Sequence, residues 1–249
     1  TDITSKIYSR NPSGPFTTST LQQAASSKLG FGASRTMQIA QRLYQGIDID
    51  GDTIGLITYM RTDGTNISNE AVKEFRSFVE DDLGKNYLPD TPNSYKGKKA
   101  KNAQEAHEAI RPTDIKKKPN EMKKYLSTDQ FKLYDLIWKR TVASQMNSAK
   151  TEQSKLYISD TEHIFSASGK TIIFPGFLRA YVEGSDDPNA NLDDMEKILP
   201  KVTKGDNLNC KSIVPKQHFT KPTSRFTEAS LVKEMEALGI GRPSTYASI

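Results

Sequence analysis

The sequence predicts an α+β protein of more than one domain, in which a mainly helical part is followed by a β-rich part. Up to about residue 148, apolar residues recur at helical spacing behind residues that cap helices. From Thr151 onward, the apolar runs become short, β-branched and bounded by Gly, Asp and Ser. A chain of 249 residues is long enough to bury more than one core.

These patterns divide the chain into four segments. We expect residues 1–14 to be the first strand of the β-rich domain, residues 15–148 to be the helical domain, residues 149–218 to complete the β-rich domain and residues 219–249 to begin a further helical domain. The chain lacks an initiator Met and stops inside the last predicted helix. We therefore expect both ends to be cuts in a longer protein.

Composition argues against several classes of protein. The mean hydropathy is −0.64 and no long apolar run is present, so we expect neither a membrane span nor a signal peptide. Cys210 is the only cysteine, which excludes an intramolecular disulfide and a multi-cysteine zinc site within the chain. We expect its side chain to be buried in a strand.

The positive charge lies in the first part of the chain. Residues 1–150 carry 23 Lys and Arg against 17 Asp and Glu, a net charge of +6, whereas residues 151–249 carry a net charge of −1. The clustered lysines are Lys98, Lys99, Lys101 and Lys116 to Lys118. They could bind the phosphates of a polyanion, or they could be ordinary solvated loop residues.

Two short helices are predicted at the start of the helical domain. Ser19 with Gln22 forms a capping-box pattern, and Gly30 ends the helix that follows. Ser34 opens a second helix, which ends at Gly46. The pair is typical of a helix-turn-helix, which can present a helix to DNA, although an ordinary αα-hairpin fits the same pattern.

The next elements surround the most informative segment of the chain. Residues 48–52 predict a hairpin turn rather than a calcium loop, because neither the glycine nor the twelfth position fits an EF-hand. Residues 56–64 form an apolar, β-branched run that ends in a polar turn, which predicts a strand. Further helices are predicted after Ser68, over residues 103–110 and after Ser127.

The β-rich domain is predicted from short strand patterns at residues 156–158, 164–165, 171–174 and 208–214. The acidic stretch from Glu183 to Glu196 is predicted to be a mobile loop. Thr227 caps a helix that Gly239 ends, and the Pro of Arg242-Pro243-Ser244 predicts the first turn of another.

Tyr59 and Arg61 are the candidate catalytic residues. Residues two apart in a strand point to the same face, so the Arg61 guanidinium can reach a phosphate that touches the Tyr59 phenol oxygen. A tyrosine can displace the leaving group of a phosphodiester, and a fixed cation stabilises the negative charge that builds on the phosphoryl oxygens. The same pair also occurs on ordinary half-exposed strands, so it does not decide the function by itself.

His107 begins the sequence His-Glu-Ala-Ile-Arg, which lacks the second histidine of a zinc-protease helix. A helical histidine beside charged residues is more often a surface or interhelix hydrogen-bonding group than a catalyst. We predict no metal ligand in this chain, because it contains no recognisable acidic metal cluster.

Four collinear segments resemble the type IA DNA topoisomerases, the family of bacterial topoisomerase I, over essentially the whole chain. They are Pro-Phe-Thr-Thr-Ser-Thr-Leu-Gln-Gln-Ala-Ala at residues 15–25, residues 57–63, Gln-Glu-Ala-His-Glu-Ala-Ile-Arg-Pro at residues 104–112, and residues 226–231 with Gly-Ile-Gly-Arg-Pro-Ser-Thr-Tyr at residues 239–246. Long matches in the same order are more specific than one short motif.

The resemblance implies a toroidal fold in which the β-rich domain forms part of an arch around DNA. It implies that Tyr59 becomes joined to the 5′-phosphate of a broken strand, with Arg61 and His107 in the same active site. The residues expected to contact DNA are Thr58, Asp63, Arg111, Arg242, Ser244 and Thr245. Many relatives have Ser where this chain has Gly64, so we expect a looser turn there.

The same resemblance implies a role for Mg²⁺ in the intact enzyme, bound by a Toprim domain that precedes this segment. We therefore expect no cofactor in the chain itself and no activity from the chain alone. The expected partner is DNA, single-stranded or negatively supercoiled, and not a membrane. We also expect a monomer with a cytoplasmic, nucleoid-associated location.

Two other classes of function are weighed against this interpretation. A non-catalytic module that binds single-stranded DNA would use Tyr59 only as a contact, and it would never form a covalent adduct. A site-specific tyrosine recombinase would place several Arg and His partners ahead of a tyrosine near the chain end. Tyr59 comes early in this chain, which argues against a recombinase.

Overall fold

The described residues form a group of helices, a three-stranded sheet and a two-stranded hairpin. The structure, a computed structural model, describes residues 1–95, 107–160, 162–181 and 197–249. Within these residues the helices are α1 (Thr18–Leu29), α2 (Ala33–Gln45), α3 (Asn69–Leu83), α4 (Pro119–Met122), α5 (Thr128–Ser144) and α6 (Glu228–Leu238), and the strands are β1 (Asp2–Arg10), β2 (Ile47–Ile49), β3 (Asp52–Ile54), β4 (Ala149–Ser159) and β5 (Ile164–Phe174). The first part of the helix predicted over residues 103–110, up to residue 106, lies outside the described residues, as does the acidic loop at residues 183–196.

The sheet joins the start of the chain to its second half. Its order is β1-β4-β5 and both pairings are antiparallel, with Asp2 opposite Tyr157 and Arg10 opposite Ala149. The two short strands predicted between residues 164 and 174 are one continuous strand, β5. The first residues of the chain therefore belong to the same sheet as residues 149–174.

The strand predicted at residues 208–214 is wrong. This stretch forms no strand and is exposed to solvent, and Cys210 is therefore an exposed free thiol rather than a buried side chain. The β-branched residues there match the strand pattern, but no neighbouring strand pairs with their backbone N–H and C=O groups. A strand needs such a partner, which a local pattern cannot reveal.

The first two helices form close to the predicted positions, but neither has the predicted start. Helix α2 begins at Ala33 after Gly32 and has no side-chain cap, so Ser34 lies inside its first turn. The Thr17 hydroxyl accepts the Thr20 N–H and the Thr20 hydroxyl accepts the Thr17 N–H, so the capping box lies two residues before the predicted Ser19 and Gln22. Ser19 and Gln22 are buried within α1. Gly30 has a left-handed φ of 66° and ends the helix as predicted.

One hydrophobic core extends from the helices to the base of the sheet. Leu21, Leu43, Phe75 and Tyr134 come from four different helices and are fully buried. Phe177, which follows β5, belongs to the same cluster. The end of the sheet is therefore anchored in the helical core rather than standing apart from it.

The C-terminal residues pack against the first two helices. Helix α6 contacts α1, and the Glu228 carboxylate accepts a 2.6 Å hydrogen bond from the Ala33 N–H at the start of α2. The helix predicted from Arg242 is wrong, because residues 243–248 form successive turns. The Thr245 hydroxyl accepts the Arg242 N–H as a helix cap would, but the turns that follow do not continue into a regular helix.

The cap of α5 provides a test of the local structure. We expect Ser127→Ala to lower the free energy of unfolding by about 1 kcal/mol, because the Ser127 hydroxyl accepts the Gln130 N–H in a capping box. Thermal unfolding of the two proteins measures this difference. Thr128→Ala, at the exposed first position of the same helix, is the control and should be neutral or slightly stabilising. An equal loss in both variants would contradict the assignment of the cap.

Candidate active site

The segment that carries Tyr59 is not a strand, and its backbone bends at Met60 and Arg61. Strand β3 ends at Ile54, and beyond it only Ile57 makes an isolated bridge, to Pro112, so the strand predicted over residues 56–64 is wrong. The exposure still alternates as it would in a strand. Tyr59, Arg61 and Asp63 are exposed, whereas Met60 and Thr62 are buried. The backbone bends at Met60 and Arg61, and Tyr59 and Arg61 both remain exposed and line the same cleft.

Thr18 fixes this segment to the start of α1. Its hydroxyl donates to the Met60 carbonyl at 2.7 Å and accepts the Thr62 N–H at 2.8 Å. Its own N–H, at the first residue of α1, donates to the Thr62 carbonyl at 2.9 Å. The first N–H groups of a helix have no partner within the helix. This contact therefore gives hydrogen-bond partners both to the start of α1 and to the backbone of Met60 and Thr62. Thr18 is fully buried.

The other side of the segment is fixed to α2 and to residues 109–113. The Leu56 N–H donates to the Leu43 carbonyl, and the Thr113 N–H donates to the Leu56 carbonyl. A Cβ at Gly55 would lie 2.6 Å from the Tyr44 carbonyl oxygen. Only glycine allows the backbone to pass this close to the end of α2.

Thr58 and Arg111, two of the residues expected to contact DNA, do not line the cleft that contains Tyr59. The Thr58 hydroxyl donates to the Ala109 carbonyl at 2.7 Å. The Arg111 side chain is only 13% exposed and its Nε donates to the Glu108 carboxylate at 2.6 Å. Thr58 holds residues 109–111 against the Tyr59 segment, whereas the Arg111 side chain is engaged by Glu108 and by the Phe75 ring.

Most of the other predicted site residues meet at one cleft. The residues that line it are Tyr59, Arg61, Thr62, Asp63, His107, Arg242, Pro243 and Ser244. The centroids of the Tyr59 and His107 rings are 5.4 Å apart, and Tyr59 is 36% exposed. Thr245 does not line the cleft, because its hydroxyl caps the turn at Arg242. The structure thus brings together six of the nine predicted residues.

His107 reaches the cleft from non-helical backbone. Residues 107–110 are extended, and Ile110 makes an isolated bridge to Phe16, so the described part of the helix predicted at residues 103–110 is wrong. A Cβ at Gly64 would lie 2.2 Å from the His107 carbonyl oxygen. The Gly64 N–H also donates to the Thr62 hydroxyl at 2.9 Å. Gly64 therefore permits a close contact with His107, and the turn is held in place rather than loosened.

The cleft carries more positive than negative charge. Arg61 and Arg242 line it, and Asp63 is the only carboxylate among the described residues that do. One Nη of Arg61 donates to the Ser244 carbonyl at 3.4 Å, which turns this guanidinium toward the C-terminal turns. Partial burial is the main cause that raises the pKa of the neighbouring Tyr246 phenol, and the negative charges of Glu236 and Asp63 raise this pKa further.

The described residues do not fit a resident Mg²⁺. No group of three or more His, Cys, Asp or Glu side chains comes together in the part of the chain that the structure describes. Mg²⁺ takes six oxygen ligands and is usually bound by one or two carboxylates together with substrate phosphates. A single Asp63 between two guanidinium groups is a poor donor set. We therefore derive no step of the reaction through a metal in this chain.

The lysine clusters contribute less charge than the sequence suggested. Lys117 pairs with Asp114 and Lys118 pairs with Asp82, so two of the three lysines at residues 116–118 have an acidic partner that competes with a phosphate. Lys98, Lys99 and Lys101 lie outside the described residues. Of the basic residues that the sequence analysis named, Arg61 and Arg242 are the described ones that line the cleft with Tyr59.

Three residues of the site were not predicted from the sequence. Thr18 and Gly64 act through backbone contacts with distant residues, and no local pattern indicates such contacts. Tyr44 packs edgewise on the Tyr59 ring, with the centroids 5.4 Å apart and the planes at 66°. Tyr44 is itself 40% exposed.

The cleft thus holds an exposed tyrosine beside two arginines and a histidine. Comparison with known proteins identifies the family of the chain. Residues 1–249 match the family described as DNA topoisomerase, so the chain belongs to that family. It is 52% identical to DNA topoisomerase 1 of Rickettsia bellii and 56% identical to DNA topoisomerase 1 of Streptomyces coelicolor, with 99% of the chain covered in both cases.

A solved structure supports the same assignment. The full-length topoisomerase I of Thermotoga maritima is 38% identical, has a TM-score of 0.78 and is matched over 99% of this chain. The chain covers 38% of that protein, 31% of the Rickettsia protein and 25% of the Streptomyces protein. It is thus similar to about a third of a bacterial topoisomerase I. Among the described residues, no helix is both long and apolar enough to cross a membrane.

The Thr18 contacts yield a second prediction. We expect Thr18→Val to lower the free energy of unfolding by about 2 kcal/mol, because the isosteric change leaves buried backbone groups of Met60 and Thr62 without a partner. Denaturant unfolding measures the change. Thr53→Val makes the same substitution at an exposed position of β3 and should have almost no effect. A Thr18→Val protein as stable as the Thr53→Val protein would show that these hydrogen bonds do not hold the segment.

Proposed function

We propose that this chain is the tyrosine-bearing part of a type IA DNA topoisomerase, an enzyme that relaxes negatively supercoiled DNA by transiently breaking one strand. The observation that carries the proposal is the exposed Tyr59 phenol in a cleft with Arg61, Arg242 and His107. Membership of the DNA topoisomerase family supports DNA as the proposed substrate. Negative supercoiling favours local strand separation, which supplies the single-stranded segment.

The proposed reaction is an attack of the Tyr59 phenol oxygen on a phosphorus atom of the DNA backbone. The new bond joins the phenol oxygen to the phosphorus, the bond to the 3′-oxygen breaks, and a 5′-phosphotyrosine remains. The phenolic proton is lost and the departing 3′-oxygen gains a proton. Attack of the 3′-hydroxyl on the phosphotyrosine reverses the step and reseals the strand.

The residues around Tyr59 would act on the phosphate. A phenol is mostly protonated at neutral pH, so nearby positive charge is needed to favour its attack. Arg61 and Arg242 would stabilise the charge on the phosphoryl oxygens, and His107 would bind one of these oxygens or transfer a proton. The packing of Tyr44 against Tyr59 limits the directions in which the phenol can point.

The remaining parts of the proposal concern the whole protein. Mg²⁺ would be bound by a Toprim domain that precedes this segment, and it would supply positive charge for the reaction. The protein would act as a monomer at the bacterial nucleoid, in the cytoplasm. Support for these statements comes from the resemblance to type IA enzymes and from the coverage of only about a third of the relatives.

The role of Tyr59 is tested by trapping the covalent product. We expect the longer protein that contains this chain to form a denaturant-stable adduct with a labelled single-stranded oligonucleotide in the presence of Mg²⁺. Tyr59→Phe should abolish the adduct, because the attacking oxygen is removed. Tyr157→Phe removes a phenol oxygen on β4, in the sheet, and should leave the yield unchanged. An adduct that survives Tyr59→Phe would refute the assignment, and binding without any adduct would favour a non-catalytic DNA-binding module.

The chain alone provides a further prediction. We expect the 249-residue chain neither to cleave nor to relax DNA, and to become active when the preceding portion of its gene product is added with Mg²⁺. The physical reason is that the described cleft offers arginines for the phosphate but a poor donor set for a metal. Gel assays of supercoiled plasmid measure relaxation. Cleavage by the chain alone would contradict this division of roles.

A further inference from the structure

A polar groove runs along α2 directly beside the Tyr59 cleft. Its lining residues are Ser34, Met37, Gln38, Gln41, Arg42, Gln45, Arg61, Ser244, Ala247 and Ser248. Arg61 and Ser244 also line the cleft, so the two depressions adjoin at these residues. The Ser34 hydroxyl donates to the Ala247 carbonyl at 2.9 Å, which joins α2 to the C-terminal turns that form the opposite wall.

The side of α2 that faces this groove is polar and free of negative charge. Met37, Ala40 and Leu43 pack into the core, while Gln38 and Arg42 are exposed. No carboxylate lines the groove among the described residues. The sequence shows the same bias, because residues 3–47 contain five Lys and Arg but no Asp or Glu, in a chain with 30 acidic residues. Solvated helix faces usually mix the two signs of charge.

The two arginines of α2 differ in their surroundings. Arg35 pairs with Asp129 at 2.6 Å and lies over the Phe31 ring, so its charge is already balanced. Arg42 makes no ion pair with any other described residue and lines the groove. An unbalanced guanidinium can bind a phosphate, and glutamine amides can donate to and accept from base edges or phosphate oxygens.

We propose that this α2 groove binds the single DNA strand as it continues from the scissile phosphate, with Arg42 contacting a backbone phosphate. The inference rests on the proposed function, because it takes the Tyr59 cleft as the place where the strand is broken. It adds a binding segment outside the cleft. The groove extends the cleft along α2, so a strand that leaves the cleft over Arg61 meets the exposed glutamines and Arg42.

The test measures equilibrium binding of labelled oligonucleotides to the longer protein carrying Tyr59→Phe, so that no covalent product forms. A short oligonucleotide that fills only the cleft is compared with oligonucleotides extended at the 5′ or the 3′ end. We expect Arg42→Ala to weaken binding about tenfold for the oligonucleotides extended at one of the two ends, and not for the others. For that series, the slope of the logarithm of the binding constant against the logarithm of the salt concentration should fall in magnitude by about 0.7. Arg42→Lys should keep most of the affinity, because it retains the charge.

Arg35→Ala is the matched control, since it removes an arginine from the same helix outside the groove. It should leave the binding of every oligonucleotide unchanged. The inference is overturned if Arg42→Ala has no effect, if it weakens the short and extended oligonucleotides equally, or if Arg35→Ala causes the same loss. Adduct formation by the protein with Tyr59 intact is measured separately. An adduct without an Arg42 effect refutes the groove alone, and an Arg42 effect without an adduct refutes the catalytic role alone.

Discussion

The buried contact between Thr18 and the backbone of Met60 and Thr62 is the interaction on which the site depends. It joins the first turn of α1 to the two residues that flank Arg61, and it satisfies groups that burial would otherwise leave without partners. Because Met60 and Thr62 are held facing inward, Tyr59, Arg61 and Asp63 must face outward. The reactive face is thus set by backbone hydrogen bonds rather than by a sheet.

The second constraint is the packing of the C-terminal residues on the first helices. Glu228 caps the start of α2 from a position 195 residues away in sequence, and α6 packs against α1. These contacts bring Arg242 and Ser244 to the cleft opposite Tyr59. The cleft and the α2 groove therefore share one wall, which consists of the turns that follow α6. A change in this packing would alter both binding regions together.

Local signals in the sequence predicted five of the helices, but the helices predicted over residues 103–110 and from Arg242 and two of the predicted strands do not form among the described residues. Ser68, Ser127 and Thr227 cap helices as expected, because a cap is completed within three or four residues. The predicted strand around Tyr59 and the one at residues 208–214 lack partner strands, and the described part of residues 103–110 is held by Phe16 instead of being helical. Each of these errors concerns hydrogen bonds to distant residues.

The sequence by itself determined the reactive groups and their order along the chain. The i, i+2 spacing of Tyr59 and Arg61 places them on one face of any extended backbone, and the family resemblance adds His107, Arg242 and Ser244. Only the tertiary structure decided which candidates meet. It assigns Thr58 and Arg111 to internal contacts and distinguishes Arg42 from Arg35, because the charge available to a ligand depends on neighbours that are far away in sequence.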